Sequence, residues 1–102
     1  MSITTKVSET DKEMTMVLGE RFDFSCHGDF RSAYQSIDPT QYAITIDFTK
    51  TDYIDSAALG MLLVLRERAG GDRANITLKS CQSSVQQILD ITHFEELFKF
   101  KN

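Results

Sequence analysis

Ser56 is the residue of this sequence best placed for chemistry, because its hydroxyl follows an acidic loop and opens an apolar helix. Asp52 and Asp55 lie in that loop, and the apolar run over 57–65 predicts a buried helix. A helix begins with unpaired backbone N–H groups, which need polar partners at the surface. The Ser56 hydroxyl is therefore expected to sit on rigid structure and still be reachable by another protein.

Two interpretations of this segment follow from the residues alone. Ser56, or equally Asp55, can be the N-cap of the helix and nothing more, and Asp23 can be an ordinary turn residue. Alternatively, Ser56 accepts a phosphate, which adds a charge of about −1.5 to −2 at a helix end that tolerates anions. Beside Asp52 and Asp55, that charge would repel an acidic partner, and a loss of ~4 kcal/mol lowers affinity about a thousandfold.

The elements that must position Ser56 are predicted from hydrophobic periodicity. Period-two runs predict strands, stripes at i, i+3, i+4 and i+7 predict helices, and Asp38-Pro39 and Gly70-Gly71 predict helix ends. Ser25 is the predicted N-cap of the first helix, and a capping box is predicted at Ser83-Ser84. The predicted elements are strands over 3–7 and 14–18, a helix between 25 and 38, a strand over 42–48, a helix over 57–69, a strand over 74–78, a helix from 83 and an apolar tail over 94–100.

Length and composition exclude several classes of protein. The 102 residues fit one domain, over 1–102. The net charge is −4 with no basic cluster, which argues against nucleic-acid binding. The N-terminus lacks a signal-peptide pattern, and the apolar run over 57–65 is far shorter than the ~18 residues that span a bilayer. We expect a soluble cytoplasmic protein, with Cys26 and Cys81 as free thiols and no membrane or nucleic-acid partner.

No constellation in the sequence supports an enzyme or a cofactor site. Cys26 and His27 would point about 100° apart on a helix, which is poor geometry for a nucleophile and its base. No zinc site is expected either, because no pair has the required spacing among Cys26, His27, Cys81 and His93. We therefore predict no catalytic residue, no metal and no cofactor.

The segment Asp55-Ser56-Ala57-Ala58-Leu59-Gly60 resembles the phosphorylation motif of anti-sigma-factor antagonists of the STAS family, commonly Asp-Ser-Ser-Gly-Leu-Gly or Asp-Ser-Thr-Gly-Leu-Gly. Phe22-Asp23 lies where that family has Leu-Asp or Phe-Asp, and 85–98 is similar to its closing helix and tail. Ala57 replaces the usual second hydroxyl and Ala58 the usual Gly, while Glu20 stands where the family often has Gly.

The resemblance implies an α/β fold, a single STAS-like domain with a mixed central β-sheet and helices mainly on one face. It also implies a partner-switching cycle, in which an anti-sigma factor that is itself a serine kinase uses ATP and Mg²⁺ to phosphorylate Ser56. A PP2C-type phosphatase reverses the modification. Only the unphosphorylated chain, expected to be a monomer when free, binds the kinase. The partner-binding residues carried over by position are Asp23, Asp55, Ser56, Ala57 and Leu59. Asp23 falls on a loop that in the family lies near the serine and contacts the kinase.

The output implied by this cycle is control of transcription, or of another process such as motility or biofilm formation. A second hypothesis uses the same fold without phosphorylation. In it, the chain is an accessory subunit that binds the ATPase of a lipid-transporting ABC system. The intact Asp55-Ser56 pair favours the first hypothesis.

Overall fold

The computed structural model describes residues 3–102. Met1 and Ser2, the first residues of the segment in which no signal peptide is predicted, lie outside the described residues. Seven strands and three helices follow one another, with short 3-10 turns at Phe24–Cys26, Pro39–Gln41, Gly71–Arg73 and Phe94–Glu96. The strands and helices are β1 (Thr4–Ser8), β2 (Glu13–Val17), β3 (Arg21–Phe22), α1 (His27–Gln35), β4 (Ala43–Asp47), β5 (Tyr53–Ile54), α2 (Ser56–Arg68), β6 (Ile76–Lys79), α3 (Ser83–Ile91) and β7 (Lys99–Lys101).

The main sheet has five strands in the order β1-β2-β4-β6-β7. β1 and β2 form the predicted antiparallel hairpin, and every other neighbouring pair in this sheet is parallel. The predicted mixed sheet is therefore confirmed. β3 and β5 form a separate two-stranded parallel sheet, which the sequence did not predict.

One face of the main sheet carries the core. In β2, β4 and β6 the alternate residues that point to that face are buried, whereas those between them are partly or fully exposed. This alternation follows from the period of two in a strand, and it confirms that the helices cover mainly one face. The buried strand residues are Met14, Met16, Ile44, Ile46, Ile76 and Leu78.

β1 differs from the other strands because its apolar residues do not enter the core. Thr5 is exposed, Val7 is 43% exposed, and Ile3 is only partly buried. The strand lies at the edge of the sheet and is held chiefly by its pairing with β2. The alternation over 3–7 thus predicted the strand correctly without indicating burial.

α2 begins at Ser56 and ends at Arg68, one residue earlier at each end than predicted. Gly70 and Gly71 follow it with φ values of +113° and +63°, the left-handed backbone that the Gly-Gly signal indicated. The capping box predicted for α3 is wrong. Gln82 is the N-cap of that helix, and its side chain makes no capping hydrogen bond.

Candidate functional site

The site around Ser56 is positioned by the small parallel sheet. Arg21 pairs with Tyr53 and Phe22 pairs with Ile54, so the two strands end side by side. Asp23 follows the first strand and Asp55 follows the second. Two acidic residues that are far apart in the sequence are therefore neighbours at the start of α2.

Asp55 is the N-cap of α2, which decides between the two capping residues that the sequence left open. Its Oδ1 accepts a hydrogen bond of 2.8 Å from the backbone N–H of Ala58. Its Oδ2 accepts a second, of 3.2 Å, from the backbone N–H of Phe24. The carboxylate therefore fixes the first turn of α2 and also joins it to the turn that precedes α1.

Ser56 is the first residue of α2, and it is exposed as the sequence predicted. Within residues 3–102 its hydroxyl makes no hydrogen bond, because the capping position is taken by Asp55. An exposed hydroxyl on the first turn of a well-anchored helix is available to a modifying enzyme. The positive end of the helix dipole also favours a phosphate at this place.

Asp23 caps the 3-10 turn at Phe24–Cys26. The N-cap of α1 itself is Cys26, so the prediction of Ser25 at that position is wrong. The carboxylate accepts hydrogen bonds from the Ser25 hydroxyl and, at 3.1 Å, from the Ser25 amide. Arg21 Nε lies 3.3 Å from its Oδ2, and the same guanidinium lies 4.1 Å from the ring centroid of Tyr53. The hydrogen bonds from Ser25, with a smaller contribution from Arg21, hold the pKa of Asp23 below its usual range.

The remaining predicted partner-binding residues, Ala57 and Leu59, also lie at the start of α2 and are half-buried. Leu59 packs against the core, and Ala57 lines a groove between α1 and α2. The structure thus brings Asp23, Asp55, Ser56 and Ala57 to one end of the molecule. Leu59 supports the helix that carries them.

The groove is the feature of this surface that sequence reasoning missed. It has a volume of about 300 Å³ and an apolar floor. Phe24 is 70% exposed at its rim, with its ring stacked on His27 at 6.1 Å between centroids. We call it the α1–α2 groove; its lining residues are Phe24, His27, Phe30, Arg31, Tyr34, Ala57, Gly60, Met61, Val64 and Arg68.

The cysteines do not form a reactive centre. Cys26 is buried. Burial, together with the nearby Asp90 carboxylate, raises the pKa of the Cys81 thiol to about 11. A thiol that stays protonated is a poor nucleophile and a poor metal ligand. Among the residues described, no helix has the length and apolar character needed to cross a bilayer.

Comparison with known proteins identifies relatives along the whole chain. The family model described as "Mlab, STAS domain" matches residues 5–99. The chain is 46% identical over 99 residues to a STAS-domain containing protein of Pseudomonas aeruginosa (strain UCBPP-PA14), covering 97% of this chain and 98% of that protein.

Solved structures of anti-sigma factor antagonists share the fold at low sequence identity. SpoIIAA in its unphosphorylated form matches with a TM-score of 0.79 and 12% identity, over 99% of this chain and 89% of that chain. The Bacillus cell fate determinant SpoIIAA in its phosphorylated form matches with a TM-score of 0.72 and 12% identity, over 99% and 92%. An anti-sigma factor antagonist from Mycobacterium paratuberculosis matches with a TM-score of 0.74 and 17% identity, over 98% and 86%.

Proposed function

The chain belongs to the STAS domain family, and we propose that it acts as an anti-sigma-factor antagonist whose binding is switched by phosphorylation of Ser56. The unmodified chain binds an anti-sigma factor that is also a serine kinase, and a PP2C-type phosphatase restores the unmodified form. In this role the chain is a substrate of enzymes rather than a catalyst. One observation carries the proposal: Ser56 is exposed on the first turn of α2, while Asp55 makes the capping hydrogen bond.

The electrostatics of the site explain how such a switch would act. A phosphate on Ser56 adds a charge of about −1.5 to −2 next to the carboxylates of Asp23 and Asp55. The N-terminus of α2 stabilises that charge in the free chain, so the modification is compatible with the fold. A partner surface that tolerates two carboxylates must then accept a third anionic group, and charge mismatch at an interface can cost several kcal/mol.

The solved relatives support this proposal. SpoIIAA, an anti-sigma factor antagonist, is known in an unphosphorylated and a phosphorylated form, and both share the fold of this chain. A domain of this architecture therefore accepts a phosphate without changing its fold.

The phosphoacceptor is tested by intact-mass measurement after the purified chain is incubated with histidine-kinase-like serine kinases of the source organism, ATP and Mg²⁺. We expect the wild-type chain to gain one phosphoryl group and Ser56→Ala to gain none. Ser83→Ala is the matched control, because Ser83 is also an exposed serine at the first position of a helix. If Ser56→Ala gains as much phosphate as the wild type, Ser56 is not the phosphoacceptor.

The switch itself is tested by binding of the same kinase to three forms of the chain. We expect Ser56→Ala to bind like the wild type, and Ser56→Asp, which adds negative charge at the same place, to lose binding. Equal binding by all three forms would contradict partner switching. It would favour the accessory subunit that needs no phosphorylation.

A further inference from the structure

We propose that the α1–α2 groove docks an amphipathic helix of a partner protein, with apolar residues in the groove and acidic residues against Arg31 and Arg68. This inference rests on the proposed function, since it gives the partner that responds to Ser56 a second contact surface and defines its chemistry. The two features are adjacent, because Ala57, which lines the groove, directly follows Ser56.

The groove has the shape of a helix-binding site. Its α2 wall is a single stripe at helical spacing, formed by Ala57, Gly60, Met61, Val64 and Arg68. α1 and the turn before it form the opposite wall. Val64, at 49%, and Phe24, at 70%, are apolar side chains exposed to water. Two helical walls with apolar side chains between them are the arrangement that receives an amphipathic helix in helix-in-groove recognition.

Gly60 supports close approach of a partner backbone. Glycine is a poor helix former, so its presence inside α2 does not serve the stability of that helix. A Cβ added at Gly60 would meet nothing within 4 Å, which shows that the space above it is open to the groove. A partner helix can therefore come closer to α2 at this position than at any side chain of the same stripe.

The charges at one end of the groove specify an acidic partner. Arg31 and Arg68 are exposed, and neither forms an ion pair with any of the residues from 3 to 102. Both also line the adjoining pocket beside Tyr34 and Pro39, so the two guanidinium groups share one region of the surface. In a chain with a net charge of −4, this end is a local positive site that complements carboxylates.

A second copy of the chain is the less suitable occupant. A stable protein–protein interface uses about 20–30 residues on each side. The groove is lined by ten residues. That extent suits one helix of a larger partner whose remaining contacts lie around Ser56.

The docking chemistry is tested with a labelled helical peptide of about 15 residues, long enough to span the groove. The peptide carries Leu at i, i+3, i+4 and i+7 with Glu on the flanks, and a control peptide carries Lys in place of Glu. We expect fluorescence polarisation to show at least about tenfold tighter binding of the Glu peptide. Charge reversal by Arg31→Glu with Arg68→Glu should invert that preference, whereas Arg73→Glu, at an exposed arginine outside the groove, should not.

The location is tested by filling the groove. Gly60→Leu places a side chain in open space and should weaken binding of the Glu peptide at least about tenfold, while the melting temperature is kept. Gly28→Leu is the matched control, because Gly28 is also a glycine of a helix with nothing within 4 Å of an added Cβ, and it does not line the groove. Equal binding of the Glu and Lys peptides, or equal effects of the two leucine variants, would overturn the inference.

Three further outcomes identify the occupant of the groove and separate this inference from the phosphorylation switch. A dimer in sedimentation analysis that Gly60→Leu dissociates would assign the groove to a second copy and overturn the inference. If the Glu peptide fails to bind and the kinase still phosphorylates Ser56, docking in the groove is contradicted and the phosphorylation switch remains supported. If the Glu peptide binds selectively and Ser56 is not modified, docking in the groove is supported and the phosphorylation switch is contradicted.

Discussion

At the scale of single residues, the adjacent polar groups Asp55 and Ser56 have separate tasks. The Asp55 carboxylate accepts hydrogen bonds from two backbone N–H groups, those of Ala58 and Phe24. Ser56 is exposed and does not take part in the cap. The aspartate therefore holds the first turn of α2, and the serine hydroxyl takes no part in holding it.

Substitution of each residue by alanine should separate these tasks. Asp55→Ala should lower the free energy of unfolding by about 1–2 kcal/mol, because the N-cap is lost. Ser56→Ala should change it by less than about 0.5 kcal/mol, as is usual for a surface position without such a role. Urea denaturation monitored by circular dichroism measures the free energy of unfolding of both variants. An equal loss in the two variants would contradict the assignment of the cap to Asp55.

The capping carboxylates should also make stability depend on acid pH. Hydrogen bonds from Ser25 lower the pKa of Asp23, and those from Thr40 lower the pKa of Asp38. A carboxyl with a lowered folded-state pKa stabilises the fold above its unfolded value of about 3.9, and the stabilisation is lost as the pH falls through the folded value.

The melting temperature should accordingly drop between about pH 4 and about pH 2. Asp38→Asn should show a smaller drop over this range, because its side chain cannot be protonated there. Glu9→Gln, in the exposed turn between β1 and β2, serves as the control and should follow the wild type. An identical drop in Asp38→Asn and the wild type would exclude Asp38 as a source of the acid sensitivity.

The sequence predicted the acidic and hydroxyl groups of the site but not which of them would cap. Ser25 and Ser83 both precede helical patterns, yet Cys26 and Gln82 are the N-caps of α1 and α3, and Asp23 caps the turn that leads into α1. A capping side chain is typically carried by a residue with extended backbone, and composition alone does not distinguish between neighbouring polar residues. The backbone conformation of the segment before each helix decides it.

At the scale of elements, α2 is less buried than its sequence indicated. The segment is apolar around most of its circumference, but only Ala58, Met61, Leu62 and Leu65 are buried within it. Leu63 and Val64 are 39% and 49% exposed. The reason is the one-sided arrangement of the fold, in which a helix has the sheet beneath it and solvent above it.

The two faces of α2 should respond differently to truncation. Leu62→Ala removes a fully buried side chain and should cost about 2–5 kcal/mol of unfolding free energy. Val64→Ala removes a half-exposed side chain of the groove and should cost less than about 1 kcal/mol. Thermal or chemical denaturation of both variants measures the difference. Similar losses would mean that Val64 belongs to the core, as the sequence had suggested.

The two-residue strands β3 and β5 could not be predicted from hydrophobic periodicity. Periodicity needs several residues to be visible, and neither strand has more than two. Their pairing is nevertheless what brings Asp23 next to Asp55. The family resemblance supplied that proximity, which no local signal in the sequence contains.

At the scale of the whole molecule, the order of the longer strands and helices and the mixed sheet were predictable, because each long element has its own clear periodicity. The α1–α2 groove was not predictable, since its walls come from two segments about thirty positions apart. Each wall, taken alone, reads as a core-facing stripe. Only the packing of the two helices leaves Phe24 and Val64 uncovered.

Phosphorylation should act on the surface and not on the fold. In ¹H–¹⁵N spectra, we expect the phosphorylated chain to show shifted amide signals at the start of α2 and in the turn after β3. Signals of β1 and β7 should stay in place, because these two edge strands of the main sheet contribute no residue to the site around Ser56. Loss of signal dispersion along the whole chain would show that the modification unfolds the domain, which contradicts a binding switch.

The two hydrogen bonds that Asp55 accepts connect the start of α2 to the rim of the groove. One carboxylate holds both the helix that begins with Ser56 and the backbone of Phe24, the aromatic residue at the rim of the groove. A negative group added at position 56 would repel the Asp55 carboxylate and weaken the hydrogen bonds that this carboxylate accepts. The backbone of Phe24 would then be held less firmly, so that a charge at residue 56 would change the rim of the neighbouring groove as well as its own surroundings.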